Sequence, residues 1–387
     1  MLNSDLSTKV AVLPKLSSVA GKKVYVGVSG GVDSALSAAI LKNSGADVYG
    51  VFMKNWAGEA GLQLDCPWEE DMKMAQEVCQ YLGIPFRSYN FEEEYKEMVL
   101  DNFFSEYQAG RTPNPDILCN SEIKFKAFLN RAEKEGADFI STGHYARLQE
   151  VDSQLFGKAR LLIKHADKNK DQTYFLSGLS QDQLARAIFP LANLTKPEVR
   201  ELAKKIELPN ANRSDSQGIC FIGDLDVQAF LRKYLAKNPG SIIDVDTNKV
   251  VGQHEGLSFY TIGQREGLQI GGVPLPYYVA GKDRDKNYLF IAQGKDNLAL
   301  FSAELNFTDL HWCTDNLIKV GLADLNAEKL EATIRYRANS QPGQFIALDL
   351  GAKTGTYRFA EKVRAVAPGQ SVVFFLHDLC LGKGIIS

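Results

Sequence analysis

The chain has 387 residues, 45% of them hydrophobic and 24% charged, with a formal net charge of −3. That length and apolar content suit two or three cores, and the charge excludes a whole-molecule basic field, so any contact with RNA has to come from a local patch. Six scattered cysteines, with neither a CxxC pair nor a Cys/His metal spacing, exclude a disulfide scaffold and fit a reducing compartment, and no apolar run reaches the ~20 residues of a membrane span.

Residues 1–21 lack the basic start and apolar centre of a signal peptide and contain no arginine, which argues against a mitochondrial presequence; they read as a loose leader. From Lys22 the pattern is strand, turn, helix, strand. "KKVYVGVS" is a short buried strand, "DSALSAAILKNSG" an amphipathic helix ended by Gly45, and "ADVYGVFMKNW" a second strand. Helix "PWEEDMKMAQEVCQYLG", strand "PFRSYNF", helices "EEEYKEMVLDNFFSEYQAG" and "DILCNSEIKFKAFLNRAEKEG", strand "ADFISTGHYA" and helix "KPEVRELAKKIEL" complete a region over 22–212. This alternation predicts an α/β domain with a parallel sheet covered on both faces. Beyond it the chain is turn-rich, giving a small central domain over 213–285. Short alternating strands ("LEATIRYRA", "TYRFAEKV", "QSVVFFLHD") then predict a C-terminal antiparallel β-barrel over 286–387.

The stretch Ser29-Gly30-Gly31-Val32-Asp33-Ser34 sits between the first strand and its helix. A P-loop carries a lysine that reaches the β- and γ-phosphates; this turn has none, so γ-phosphate transfer is not supported. Its backbone N–H groups and the helix dipole still make an anion nest, to which Ser29 and Ser34 add hydroxyls. Asp33 makes sense there either as a helix cap or through Mg²⁺; the plainer alternative is a tight strand–helix turn capped by Asp33. The SGGxDS pattern resembles the PP-loop ATP pyrophosphatases, which implies ATP as substrate, pyrophosphate as product and the α-phosphorus as electrophile.

In "RTPNPDILCNSEIKF", Asn114 is a good N-cap and Pro115 a good first helical residue. Asp116 and Cys119 then share a face of the first turns, where a thiol becomes more acidic and a carboxyl can move a proton. A buried packing cysteine beside a dipole-serving aspartate is the other reading. Cys220, in "SDSQGICFIGD", reads from its apolar neighbours as an inert strand residue, although Gly218 and Gly223 suit a mobile loop. Lys170 and Asp171 look like a solvated hairpin end, and His144 like a structural histidine. "IRYR" puts Arg335 and Arg337 on one strand face and Tyr336 on the other. Cys66, Cys79, Cys313, Cys380, Trp56 and Trp68 read as packing residues.

Seven motifs occur in order: "GVSGGVDSA", "NPDILCN", "STGHYAR", "KDQTYFL", "SQGICFIG", "YTIGQREGL" and "IRYR". Together they resemble the tRNA-specific 2-thiouridylases, and the resemblance runs from Lys23 to the C-terminus. It implies that Gly27, Val28, Ser29, Gly30, Gly31, Val32, Asp33 and Ser34, with Met53 and Gly143, bind ATP accompanied by Mg²⁺. Asn114, Pro115 and Asp116 are implied to contact the target base, with Asp116 as acid–base residue. Cys119 is the implied nucleophile and Cys220 the persulfide carrier, passing through a transient Cys119–Cys220 disulfide. His144, Lys170, Asp171, Gln172, Arg335, Tyr336 and Gln370 are implied to touch tRNA. The implied partners are tRNAs of the Glu, Gln and Lys type with a wobble uridine, and a persulfide donor or relay of the cysteine desulfurase system. The implied setting is the cytoplasm, with no membrane.

The chemistry agrees with that resemblance. A uracil 2-carbonyl resists sulfur because its oxygen is a poor leaving group, and adenylation turns that oxygen into departing AMP. The base must also leave its stack to reach a protein pocket. Two rivals remain: an amidating ligase of the same fold, and a nucleotide-sensing RNA-binding protein without catalysis.

Overall fold

The computed structural model describes residues 9–56, 68–214, 227–272 and 274–387. The chain divides into two compact units, one made of Met1–Val99, Pro115–Asp224 and Asp378–Cys380, the other of Leu100–Asn114, Leu225–His377 and Leu381–Ser387.

The first unit is built on strands β1 (Lys23–Gly27), β2 (Asp47–Lys54), β3 (Phe86–Asn90), β4 (Phe139–Ser141) and β7 (Ala187–Ile188), with a hairpin of β5 (Arg147–Ser153) and β6 (Gly157–Ile163) before the last. The five form one sheet in the order β3-β2-β1-β4-β7, and every pairing is parallel. Val24, Tyr25 and Val26 of β1 have no solvent exposure. An unbroken apolar run is what a central parallel strand needs, since helices cover both faces. Helix α1 (Val32–Asn43) buries nine of its residues, Ala35, Leu36, Ile40 and Leu41 among them, and ends at Gly45, whose φ of 81° suits the left-handed cap. Helix α2 (Trp68–Leu82) adds Ala75, Val78 and Leu82 to the same core, and α3 (Lys196–Lys205) adds Val199 and Ala203. Because β1 has β2 on one side and β4 on the other, its carboxyl end lies where the strand order reverses. That is the usual place for a ligand crevice in an open α/β sheet.

Three expectations change. The described part of the leader is not loose: Val10, Leu13 and Val19 are buried in the core, and the Leu16 N–H donates to Ser44 Oγ at 2.9 Å. Apolar side chains spaced along it cover the end of α1. The helix predicted after Asn114 is present but not uniform; Pro115–Leu118 is α, Cys119–Ala127 is π and Phe128–Lys134 is α again. The wider π turns bury Cys119, Asn120, Ser121, Ile123 and Phe125 together, more than one α stripe would cover. The third change is in "IRYR", which is not strand. β13 (Leu330–Thr333) stops short of it, the Ala338 N–H closes a turn onto the Arg335 carbonyl at 3.2 Å, and Arg337 has φ of 61°. A left-handed residue breaks strand alternation, so the two arginines do not share a strand face.

In the second unit, β8 (Gly240–Asp244), β9 (Val250–His254), β10 (Tyr277–Asp283) and β11 (Tyr288–Gln293) form a four-stranded sheet in the order β10-β11-β8-β9, with β8 and β11 parallel. The barrel comprises β12 (Phe301–Trp312), β13, β14 (Gln341–Asp349), β15 (Thr354–Arg364), β16 (Ser371–Leu376) and β17 (Leu379–Ile386), and β12 pairs with β17 to close it. Its interior is aromatic. Phe374 lies 4.8 Å from Phe345, 5.2 Å from Phe307 and 5.5 Å from Tyr357 between ring centroids, with Trp312 at 6.1 Å. Glycines make room for these rings: a Cβ on Gly355 would come 2.5 Å from Phe307, and one on Gly384 would come 2.7 Å from it.

Phe374→Ala is expected to destabilise the barrel by about 3–5 kcal/mol, the usual loss for emptying a buried aromatic site. Urea unfolding followed by Trp312 emission, with Trp56 and Trp68 replaced by Phe, measures it.

Candidate functional site

At the carboxyl end of β1 the chain turns through Val28–Gly31 and enters α1 at Val32. The N-cap is Gly31, which has no side chain to offer, so the positive end of the helix dipole is left for another group. Gly30 has φ of 76°, and a Cβ there would lie 2.7 Å from Arg213 Nη1 and 2.8 Å from the Asp71 carbonyl oxygen. The Gly30 carbonyl accepts from Asn210 Nδ2 at 2.8 Å and from Arg213 Nη1 at 3.3 Å, while Arg213 also pairs with Asp71 at 2.6 Å. With that carbonyl pulled to one side, the N–H of Gly31 across the planar peptide points to the other. Ser34 Oγ accepts from the Ser29 N–H at 3.2 Å and donates to the Gly31 carbonyl at 3.0 Å, which fixes the bend from inside.

Gly143 follows β4 and presses its backbone on this turn. A Cβ at 143 would sit 2.6 Å from the Ser34 nitrogen and 2.8 Å from the Asp33 carbonyl carbon, so no other residue fits without moving the helix start. Gly27 has the same relation to Met53, whose Cε would be 2.8 Å from an added Cβ. The turn, Met53 and Gly143 are thus brought to one place.

Asp33 is not acting as a cap. Its carboxylate accepts Lys196 Nζ at 2.7 and 2.9 Å and the Tyr145 hydroxyl at 2.8 Å. The Lys196 side chain is only 10% exposed, and its backbone N–H donates to Asp167 Oδ2 at 3.0 Å. Sequence reading missed Lys196, because "LTKPEVR" reads as a helix start, and it is one: Thr195 and Glu198 form a capping box. The lysine that the turn lacks stands beside it, delivered from a distant helix.

"KDQ" supports the same cluster. Gln172 Oε1 accepts the Tyr145 N–H at 2.9 Å, and the Gln172 N–H returns to the Tyr145 carbonyl at 2.9 Å. Asp171 Oδ1 accepts the N–H groups of His165 and Thr173, both at 3.1 Å, and the Thr173 hydroxyl at 2.6 Å. Lys170 closes the 168–170 turn with its N–H on the Asp167 carbonyl and is half-exposed. His144 is buried between Phe125 and Phe189, with Nδ1 2.7 Å from Thr142 Oγ1. Burial, helped by the Lys124 charge, holds its pKa well below the ordinary histidine value, so the ring is neutral.

Pro115 opens its helix as expected, Asp116 is half-buried in the first turn, and Cys119 is fully buried. Asn120 Nδ2 donates to the Phe175 carbonyl and Gln183 Nε2 to the Ser121 carbonyl, tying the π segment down next to the cysteine. Cys220 lies outside the described residues, as does Cys66, so the Cys119–Cys220 pairing does too. Cys79 behaves differently from a reactive thiol, since burial pushes it up to about 12. In the second unit, Arg335 and Tyr336 occupy the turn after β13. Gln370 Nε2 donates to the Thr112 and Pro113 carbonyls at 2.8 and 3.0 Å. Among the described residues no group of three or more His, Cys, Asp or Glu side chains is arranged for a metal, and no helix is long and apolar enough to cross a membrane.

A parallel sheet whose central strand ends in a lysine-free glycine turn against an open helix start defines a nucleotide-binding α/β domain of the HUP class. Residues 22–224 match the family model described as "tRNA methyl transferase HUP domain", 228–293 the "tRNA methyl transferase PRC-barrel domain" and 302–386 the "Aminomethyltransferase beta-barrel domain". The chain belongs to the tRNA-specific 2-thiouridylase family. It is 48% identical over 376 residues to the tRNA-specific 2-thiouridylase MnmA of Pectobacterium carotovorum, covering 96% of this chain and 98% of the relative. The Bacillus subtilis MnmA is 45% identical over 366 residues, with 94% of each chain covered. A solved 4-thiouridine synthetase–RNA complex with bound ATP is similar at 18% identity and a TM-score of 0.31, covering 55% of this chain and 50% of the other; it adds nothing to the assignment.

The neutral His144 has a consequence for pH. Its folded pKa is depressed, so as pH falls below about 6.5 the unfolded chain takes up a proton that the folded chain refuses, and stability drops. His144→Phe is expected to flatten that decline. Urea midpoints of wild type and variant at pH 5.5 and 7.5 should converge toward the acid side.

Proposed function

We propose that the protein replaces the 2-oxygen of the wobble uridine in tRNA with sulfur, consuming ATP and releasing AMP and pyrophosphate. The observation that carries this is the glycine turn at the end of β1, locked by Gly30 and Gly143 and holding Asp33 against Lys196 and Tyr145. It offers backbone donors and one neighbouring cation to a polyphosphate chain, without the lysine position that γ-phosphate transfer uses.

In this reading the N–H groups from Gly30 to Ser34, with the Ser29 and Ser34 hydroxyls, hold the outer phosphates, and Met53 lies along the adenosine. Lys196 turns from Asp33 toward phosphate charge. Asp33 is the residue that would hold Mg²⁺ arriving with the triphosphate, and the ion would offset phosphate charge. Asn114 and Pro115 hold the target base, and Asp116 manages its proton as the uridine O2 bonds to the α-phosphorus and pyrophosphate leaves. The terminal sulfur of a Cys220 persulfide, given by a persulfide donor, then bonds to C2 as the C2–O bond breaks and AMP departs. It attacks either while still attached or as hydrosulfide freed when the Cys119 thiolate bonds to the inner sulfur. In the first case the Cys119 thiolate then bonds to the Cys220 sulfur and breaks the S–S bond, leaving the outer sulfur on C2; either way the pair ends as a Cys119–Cys220 disulfide that an external thiol reduces. Lys170, Asp171, Gln172, His144, Arg335, Tyr336 and Gln370 belong to the tRNA-facing set that the family resemblance implies. Of these, Gln172 holds Tyr145, Asp171 holds His165 and Thr173, and His144 acts as a neutral ring.

The test incubates the full chain with ATP, a persulfide source and unmodified tRNA, and follows AMP release together with retarded migration of thiolated tRNA on a mercury gel. Both signals are expected, and Cys119→Ser and Cys220→Ser are each expected to abolish thiolation. Thiolation that survives in both variants would sink the sulfur route. An amidating ligase would still form product without Cys119, a passive RNA binder would release no AMP, and methyl transfer, the reaction named in the family models, would leave ATP intact.

Lys196→Met is expected to lower kcat/KM for ATP roughly 10²-fold or more, as losing one preorganised charge donor does. A value within about threefold of wild type would remove Lys196 from the site.

A further inference from the structure

The sequence "GRTPNP" leads from the helix Asp101–Gln108 into Asn114, where the proposed target-base contacts begin. Pro113 and Pro115 have no N–H, and each keeps the residue before it extended. A strap of this kind cannot anchor itself as helix or sheet, so its carbonyls need donors from elsewhere.

Donors come from three separate elements of the second unit. Lys282 of β10 donates Nζ to the Gly110 carbonyl at 2.7 Å. The Thr261 hydroxyl, in "YTIGQ", meets the Thr112 hydroxyl at 3.0 Å. In the loop between β15 and β16, the Pro368 carbonyl accepts the Thr112 N–H at 2.9 Å, and Gln370 gives Nε2 to both Thr112 and Pro113 carbonyls. Gly369, at φ of 91°, lies so close that a Cβ there would be 2.8 Å from the Thr112 nitrogen. The loop is itself pinned to β17, with Gly369 N–H on the Ile386 carbonyl and Ile386 N–H on the Gln370 carbonyl, both at 2.8 Å. A primary amide has two N–H bonds, and Gln370 spends both on the strap.

We propose that Thr261 and Lys282, together with Gln370, are positioning residues that fix the strap 110–113 and with it the place of Asn114. This rests on the target-base reading above. A misplacement of about 1 Å in a positioning element can cost roughly 10²-fold in rate while leaving binding at distant contacts intact.

The experiment uses the full chain and two readouts: the single-turnover thiolation rate at saturating tRNA and ATP, and the tRNA dissociation constant from filter binding. Thr261→Val and Lys282→Met are each expected to lower the saturated rate about tenfold or more, with tRNA affinity within about threefold of wild type. Thr261→Ser, which keeps the hydroxyl, is expected to restore the rate. If Lys282→Met does not fold, the Thr261→Val and Thr261→Ser pair decides. Weakened tRNA binding with an unchanged saturated rate in Thr261→Val or Lys282→Met makes that residue a direct RNA contact and overturns the proposal, as do variants indistinguishable from an active wild type. A wild type that thiolates nothing overturns the functional reading instead, and this proposal falls with it.

Discussion

A part-covered carboxylate at a helix start needs a partner for its charge, and the ion pair between Asp33 and Lys196 supplies it. At hydrogen-bond distance and with most of the lysine covered, the attraction is screened less than it would be on the surface. Keeping the pair in place recruits much of the first unit. Lys196 is held by the capped start of α3 and by Asp167; Tyr145, the third member, is held front and back by Gln172. Motifs far apart in the chain, "STGHYAR", "KDQTYFL" and "TKPEVR", therefore converge on one aspartate.

The parts of this arrangement that were legible in the sequence are those with a local cause. Val24 to Gly27 followed by glycines and a polar helix start could only be a buried strand entering a turn, and the alternation of strands and helices gave the parallel sheet. Lys196 was not legible as a site residue, because its helix-start setting explains it completely and nothing local records the neighbour that lies across the fold. The extended reading of "IRYR" failed because Arg337 adopts a left-handed conformation, which alternation of residue types does not encode. The packing of Val10, Leu13 and Val19 was missed although, with Leu16, they recur every third residue: Pro14 interrupts the run, and nothing local records that the stretch docks on the first core.

The cysteines separate by surroundings rather than by exposure. Cys79, Cys119, Cys313 and Cys380 are all buried and unbridged. Cys79 sits against the sheet, where Gly50 leaves space for its sulfur, and only apolar packing surrounds the thiol. Cys119 instead begins a π segment one turn after a proline-initiated helix start that carries Asp116. The π turns bury side chains together that a regular helix would spread around its axis.

The pairing of β12 with β17 leaves the six-stranded barrel with no unpaired rim strand. Away from the start of β17, where Leu379 takes Ile163 of β6 as a further partner, its main-chain donors and acceptors are committed to one another, so a visiting chain finds no open edge there. Whatever meets this barrel meets side chains and connecting bends, such as the exposed bend at 335–338, where the Arg337 guanidinium lies 5.0 Å over the Tyr336 ring. Specificity on that wall is accordingly a matter of a few projecting groups, and it can be rewritten without rebuilding the wall.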